Sequence, residues 1–207
     1  MSAEQQSEPV PTAKRAAIEA AVLSATEALL AEGASFADLN IEKIATRAGI
    51  SRTAFYFYFR DKRELLMRLT QDITDILFAQ AERWFAGEGD AEVELREALT
   101  NIGALYAEHG VLLRAIVEVS TYDEEIAHFW RGLMGRFSEA TQRRIEDEQE
   151  AGRSDQRFPA RGTAFALVWM TERTFYQQLV QHPVPDRELD EAMVGIWMRT
   201  VYGQLPS

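Results

Sequence analysis

The chain has 207 residues, 46% hydrophobic and 27% charged, an ordinary globular composition with enough length for a substantial core. The lack of cysteine excludes a disulfide framework and thiolate chemistry, and no apolar run approaches the roughly eighteen residues of a membrane span. A net charge of −11 repels nucleic acid from the molecule as a whole, so any approach to a polyanion has to use a local basic patch.

The opening MSAEQQSEPVPTAKR places polar and acidic groups where a signal peptide has an apolar stretch, which points to a cytoplasmic protein. Residues 1–11 read as a disordered arm, followed by the Lys14-Arg15 pair, where Lys14 can touch phosphate or minor groove. Helical periodicity dominates from there on, and no strand alternation is convincing, so the fold class is all-α with about nine helices. A first helix is expected over Thr12–Glu32, with Ala17, Ile18, Ala21, Leu29 and Leu30 on its apolar stripe and Gly33 as its stop. Asn40 then caps a short helix over Ile41–Ala48, and Gly49 supplies the left-handed residue that ends it.

Ser51 caps a second short helix carrying five aromatics in succession, Phe55 to Phe59. Helix, glycine turn and helix make a helix-turn-helix, whose second helix suits a DNA major groove. Phe55 and Phe59 lie one turn apart and face the preceding helix, while Tyr56 and Phe57 rotate towards solvent and Tyr58 sits at the border. Burying such a ring contributes about 1.5–3 kcal/mol, so leaving two of them wet calls for a partner; thymine methyls, sugars and phosphates are the partner inferred. From Asn40 to Arg63 the chain carries six basic residues against Glu42 and Asp61, a net of +4 on an otherwise acidic body.

Asp61 followed by Glu64 fits a capping box and opens a long helix to about Phe85. Gly87-Glu88-Gly89-Asp90 is a break. Further helices are expected at about Ala91–Glu108, Val111–Ser120, Glu124–Ala151, Ala160–Gln181 and Arg187–Tyr202, the last two separated by His182-Pro183-Val184-Pro185. The domain organisation expected is an arm over 1–11, a helix-turn-helix domain over 12–60 and a larger helical domain over 61–207.

Large side chains cluster at positions facing the middle of the larger domain: Trp84, Leu95, Leu99, Ile102, Tyr106, Trp130, Met134, Phe137, Trp169, Phe175, Tyr176 and Trp197, with Thr171 as a polar group among them. Ala164 to Met170 is an uninterrupted apolar run, and Leu189, Met193 and Trp197 recur every four residues beside Val194 and Val201. Two such helices from each subunit would pack as a four-helix interface. Catalytic patterns are missing: His109, His128 and His182 have no metal-ligand spacing, and there is no phosphate loop or nucleophile elbow, so no cofactor, metal or enzymatic activity is expected.

The stretch IATRAGISRTAFYFYFRDKRELL resembles the N-terminal signature of TetR-family transcriptional regulators, and FYFYF, TERTFYQQ and IWMRTVYG resemble their ethionamide-resistance-repressor subgroup. The resemblance makes 12–60 a DNA-binding domain and 61–207 a ligand-binding and dimerisation domain. It implies a homodimer joined by its last two helices, with an apolar, tunnel-like effector cavity in each larger domain opening near the bridging helix. It also implies a repressor released from its operator by a lipophilic small molecule. Arg52, Thr53, Tyr56 and Phe57 would then meet base edges and methyls, while Lys43, Thr46, Ser51, Tyr58 and Lys62 would line the phosphates. Thr171 stands where the subgroup carries Asn, and Leu95 where it carries an aromatic, so the ligand need not be the same. The competing reading is a ligand carrier or interaction protein on the same fold, without specific DNA binding.

Overall fold

Asn40, Ser51 and Asp61 set the starts of three successive helices. The Asn40 side chain accepts from the Lys43 amide at 2.8 Å, the Ser51 hydroxyl from the Ala54 amide at 3.1 Å, and the Asp61 carboxylate from the Glu64 amide at 2.9 Å. Each oxygen satisfies an amide that has no partner within its own helix. In the computed structural model, which describes residues 12–181 and 186–203, these helices are α2 (Ile41–Arg47), α3 (Arg52–Phe55) and α4 (Lys62–Gln80), preceded by α1 (Thr12–Ala31). The expected arm at 1–11 and the break at 182–185 lie outside the described residues.

The turn between α2 and α3 follows from Gly49, whose φ of +73° is cheap only for glycine. The Gly49 amide donates to the Thr46 carbonyl at 3.1 Å and the Ile50 amide to the Ala45 carbonyl at 3.0 Å, a complete Schellman closure. The expected capping box at α4 closes differently: Glu64 reaches past Asp61 and accepts from the Arg60 amide at 2.7 Å. The helix bearing the aromatics is shorter than its sequence suggests. Regular structure ends at Phe55, and residues 56–58 form a turn. The Phe59 amide still donates to the Phe55 carbonyl at 3.0 Å, so the two phenyl rings stay stacked, with centroids 5.4 Å apart.

The chain forms two compact units, one through Leu69 and one from Thr70, with the division inside α4. The second unit contains the rest of α4, then α5 (Glu82–Ala86), α6 (Ala91–Glu108), α7 (Gly110–Val119), α8 (Glu124–Glu150), α9 (Ala160–Phe175), a π-helical segment (Tyr176–Gln181) and α10 (Arg187–Tyr202). The long helix expected to reach Phe85 is broken at Ala81, whose amide bonds the Phe78 carbonyl three residues back. The helix expected over 160–181 loosens into π geometry after Phe175. Leu112, Leu113, Ile116 and Ile126 are fully buried between these helices, and α8 runs against α9 along much of its length. There is no strand among the described residues, and no helix of theirs is long and apolar enough to cross a membrane.

A buried polar cluster holds the lower part of this unit. Arg144 on α8 pairs with Glu148 at 2.5 Å and donates to the Tyr202 hydroxyl at 3.1 Å, and its guanidinium lies 5.9 Å from the Trp84 ring centroid. Arg153 pairs with the other oxygen of Glu148, also at 2.5 Å. Both Arg144 and Glu148 are almost wholly buried, so the pair has exchanged hydration for these contacts.

Candidate functional site

In the first unit, burial sorts the aromatic run by role. Phe55 and Phe59 are 0% and 4% exposed and pack into the small core, whereas Tyr56 is 47% and Phe57 74% exposed. Lys43, Thr46, Ser51, Arg52 and Thr53 are exposed, the last three in the short helix that leads into these rings, and Lys14 is exposed on α1. Tyr58 is half-buried beneath the Arg15 guanidinium, which sits 5.6 Å from the ring centroid. Lys14, Lys43 and Arg52 make no ion pair or hydrogen bond through their side chains within the described residues. Arg52 is held within four or five residues of wet aromatic surface, an arrangement suited to a polyanion with apolar base edges.

The basic island is smaller than its residue count implies. Arg47 is tied to Glu32, whose carboxyl the guanidinium holds below its usual pKa. Lys62 is a correction to the phosphate set. Its ammonium donates to the carbonyls of Phe36 at 3.0 Å, Ala37 at 3.1 Å and Leu39 at 2.5 Å, and burial pushes its pKa down. An ammonium has three protons, and all three are committed. Lys62 therefore clamps the connection between α1 and α2 to the start of α4, and a phosphate would have to displace a carbonyl.

In the second unit an apolar cavity of about 70 Å³ is lined by α4, α5, α6, α8, α9 and α10 and the Ala81 junction. Ten of the residues expected around it do line it: Trp84, Leu95, Leu99, Ile102, Tyr106, Met134, Phe137, Thr171, Phe175 and Trp197. Trp130, Trp169 and Tyr176 do not. Trp130 is buried elsewhere on α8, Trp169 is half-exposed beside Phe165, and Tyr176 is buried with the Arg173 guanidinium 5.1 Å from its ring centroid. Leu77, Ala81, Phe85, Ala98, Thr141, Val168 and Glu172 complete the wall and escape the sequence reading. Helical spacing supplies the missing signal: Val168, Thr171, Glu172 and Phe175 stand at i, i+3, i+4 and i+7, so Phe175 brings the other three with it.

The volume is well below the several hundred Å³ of a pocket for a drug-sized ligand and does not amount to a long tunnel. Within the wall Trp84 meets Trp197 edge-on at 5.3 Å and Tyr106 meets Phe175 at 5.7 Å. Thr171 also differs from expectation. Its hydroxyl donates to the Leu167 carbonyl and accepts from the Trp197 indole, each at 2.9 Å, which fixes the indole and leaves little for a ligand.

Among the described residues the wall holds two buried polar groups with no hydrogen-bond partner, the indole N–H of Trp84 and the carboxyl of Glu172. The Glu172 side chain is 3% exposed, neither carboxyl oxygen has a hydrogen-bond partner, and the nearest cation is Arg173 Nε at 3.7 Å. Burial raises its pKa, and Arg173 offsets part of that rise. Tyr106 faces it with a phenol that burial, and then the charge of Glu172, pushes upward. Among the described residues no group of three or more His, Cys, Asp or Glu could hold a metal ion.

Residues 22–69 match the family described as bacterial regulatory proteins, tetR family, and residues 95–203 match the transcriptional regulator EthR, C-terminal domain. The chain is 32% identical over 195 residues to the HTH-type transcriptional regulator EthR of Mycolicibacterium smegmatis, covering 91% of this chain and 88% of that protein. Two solved structures share the fold. FadR of Bacillus subtilis, in complex with stearoyl-CoA, has a TM-score of 0.73 at 16% identity, covering 89% of this chain and 98% of its own. SmeT, the repressor of the Stenotrophomonas maltophilia multidrug efflux pump SmeDEF, has a TM-score of 0.70 at 18% identity, covering 91% and 96%. With matches spanning both of its compact units, the chain belongs to the TetR family of helix-turn-helix transcriptional regulators, in the branch of EthR.

Proposed function

We propose that the protein is a homodimeric, cytoplasmic repressor released from its operator by a lipophilic small molecule bound in the second unit. The observation that carries the DNA-reading half is the exposed pair Tyr56 and Phe57 beside Arg52, a cation with no protein partner among the described residues. In this reading residues 12–60 read DNA and residues 61–207 bind the effector and the second subunit. Arg52, Thr53, Tyr56 and Phe57 address base edges and methyls, while Lys14, Lys43, Thr46, Ser51 and Tyr58 face the backbone. The apolar cavity supports the effector half, as does the fact that FadR, a protein of the same fold, is a complex with stearoyl-CoA. At about 70 Å³ the cavity admits such a long ligand only if the rings lining it move. An effector acts by binding the operator-incompetent form more tightly, and the shift is bounded by that affinity difference.

Selection of operators from a random duplex library, followed by fluorescence-anisotropy titrations, tests this. The wild type enriches one palindromic sequence. Arg52→Ala loses about 1–3 kcal/mol on it and relaxes one base position, whereas Lys43→Ala weakens all sequences and lowers the salt slope by about 1. Unchanged affinity and selectivity in both variants and in Tyr56→Ala would remove this face from DNA recognition.

A further inference from the structure

Glu172 is out of place in the wall it belongs to. The other residues around the cavity are apolar or neutral, and the carboxyl has given up water without gaining a hydrogen bond. A carboxylate left this way carries a desolvation penalty of several kcal/mol unless it takes up a proton or a donor reaches it. Arg173 does not supply that donor: it is more than half exposed, its closest approach is 3.7 Å, and its guanidinium lies over the Tyr176 ring. Thr171, one residue away, is saturated by Leu167 and Trp197. The cavity thus presents largely apolar walls with one unpartnered acceptor, the Glu172 carboxyl, and one unpartnered donor, the Trp84 indole N–H.

We propose that the effector of this protein is a lipophilic amine, its hydrocarbon body against Trp84, Leu99, Phe137 and Phe175 and its ammonium donating to the Glu172 carboxylate. The inference rests on the reading of this cavity as the effector site. An ammonium supplies both the charge and the donors that Glu172 lacks, and in a low-dielectric cavity a charge-assisted bond of this kind is about twice as strong as a neutral one. A fatty carboxylate meets the opposite situation, since like charges disfavour each other there. The titratable groups facing Glu172 are Arg173 on its own helix and Tyr106 on α6; α4, α5, α8 and α10 contribute none to the wall. Burial and the charge of Glu172 raise the Tyr106 phenol, which stays neutral, and Glu172, raised by its own burial, is the carboxyl of the wall that can take up a proton.

Isothermal titration calorimetry with n-alkylamines and 1-alkanols matched in length from butyl to decyl tests the proposal, on wild type and on Glu172→Gln. At the best chain length the amine binds wild type at least ten-fold tighter than the alcohol, and Glu172→Gln removes that preference while leaving alcohol affinity within about two-fold. On wild type alone, amine affinity falls as pH is lowered through the raised pKa of Glu172 and alcohol affinity does not, a readout independent of whether the variant folds. If amine and alcohol bind wild type equally at every length and pH, amine recognition is wrong and the effector cavity stands. If neither class binds at any length, both the proposal and the effector cavity fall.

Discussion

A buried carboxylate without a partner leaves a thermodynamic trace even in the absence of a ligand. Because the folded pKa of Glu172 is raised above its ordinary 4.5, the folded protein binds more protons than the unfolded one between the two values. Stability is then fully present below about 4.5 and declines as pH rises through the folded pKa. Glutamine does not titrate, so Glu172→Gln should raise the melting temperature at pH 8 and give a gain that shrinks steadily towards pH 4.5, as followed by thermal denaturation. A gain independent of pH would mean that Glu172 is not titrating in a dry site. Lys62 illustrates the complementary case. Its sequence position, opening a helix after a basic stretch, signals an exposed cation, yet three carbonyls converge on its ammonium. Those carbonyls belong to a connection between helices, and no periodic pattern encodes where such a loop folds back.

Elements begin and end where local chemistry says, provided that nothing distant intervenes. Asn40, Ser51, Asp90 and Asp123 all cap the helices they precede, because a cap needs only its own next three residues. The break at Ala81 and the π-helical segment at Tyr176–Gln181 are not local in this sense. Gly87 shows the difference within a single residue. Its φ of +69° caps α5 and suits glycine for a local reason, but an added Cβ would also lie 1.1 Å from Arg144 Nη1, 57 residues away in the chain. Arg144 cannot swing clear without leaving Glu148 and Tyr202. Gly87→Ala should therefore cost about 3–5 kcal/mol, the scale of a broken buried ion pair. Gly152→Ala, at a similar φ of +71° with open space around it, should cost only the left-handed strain of about 1–2 kcal/mol. Chemical denaturation of the two variants separates these outcomes; equal losses would show that the Arg144 cluster yields at no cost.

Taken as one molecule, the chain is acidic, with a net charge of −11, and a polyanion has to approach it through a local cluster of cations such as the +4 segment from Asn40 to Arg63. The apolar stripe on α10 that suggested a subunit interface turns inward instead: Met193, Val194, Trp197 and Val201 are all buried within their own unit. What α9 and α10 leave uncovered is Phe165, 59% exposed, and Ile196, 43% exposed. Each contributes about 1.5–3 kcal/mol when buried by a second copy. The double variant Phe165→Asp, Ile196→Asp should sediment as a monomer at micromolar concentration. Its operator affinity should drop by about 10²-fold or more, because two half-sites about 34 Å apart are no longer engaged together. A variant that remains dimeric would place the interface elsewhere.

Sequence by itself determined the all-helical class, the helix-turn-helix, its caps and glycine turn, and the split between Phe55 with Phe59 and Tyr56 with Phe57. All of these depend on interactions within four residues or on one repeating period. Nine of the cavity residues were legible for the same reason, since large apolar side chains on an inward stripe must meet something apolar. Tertiary structure alone decided that Lys62 is spent on carbonyls, that Thr171 is saturated by Trp197, and that the Glu172 carboxyl is dry. Burial is a property of what surrounds a side chain, and the groups around Glu172 come from helices spread along the chain from Leu77 to Trp197. A charged letter in a sequence carries the expectation of water, and only the packed helices show that water has been taken away.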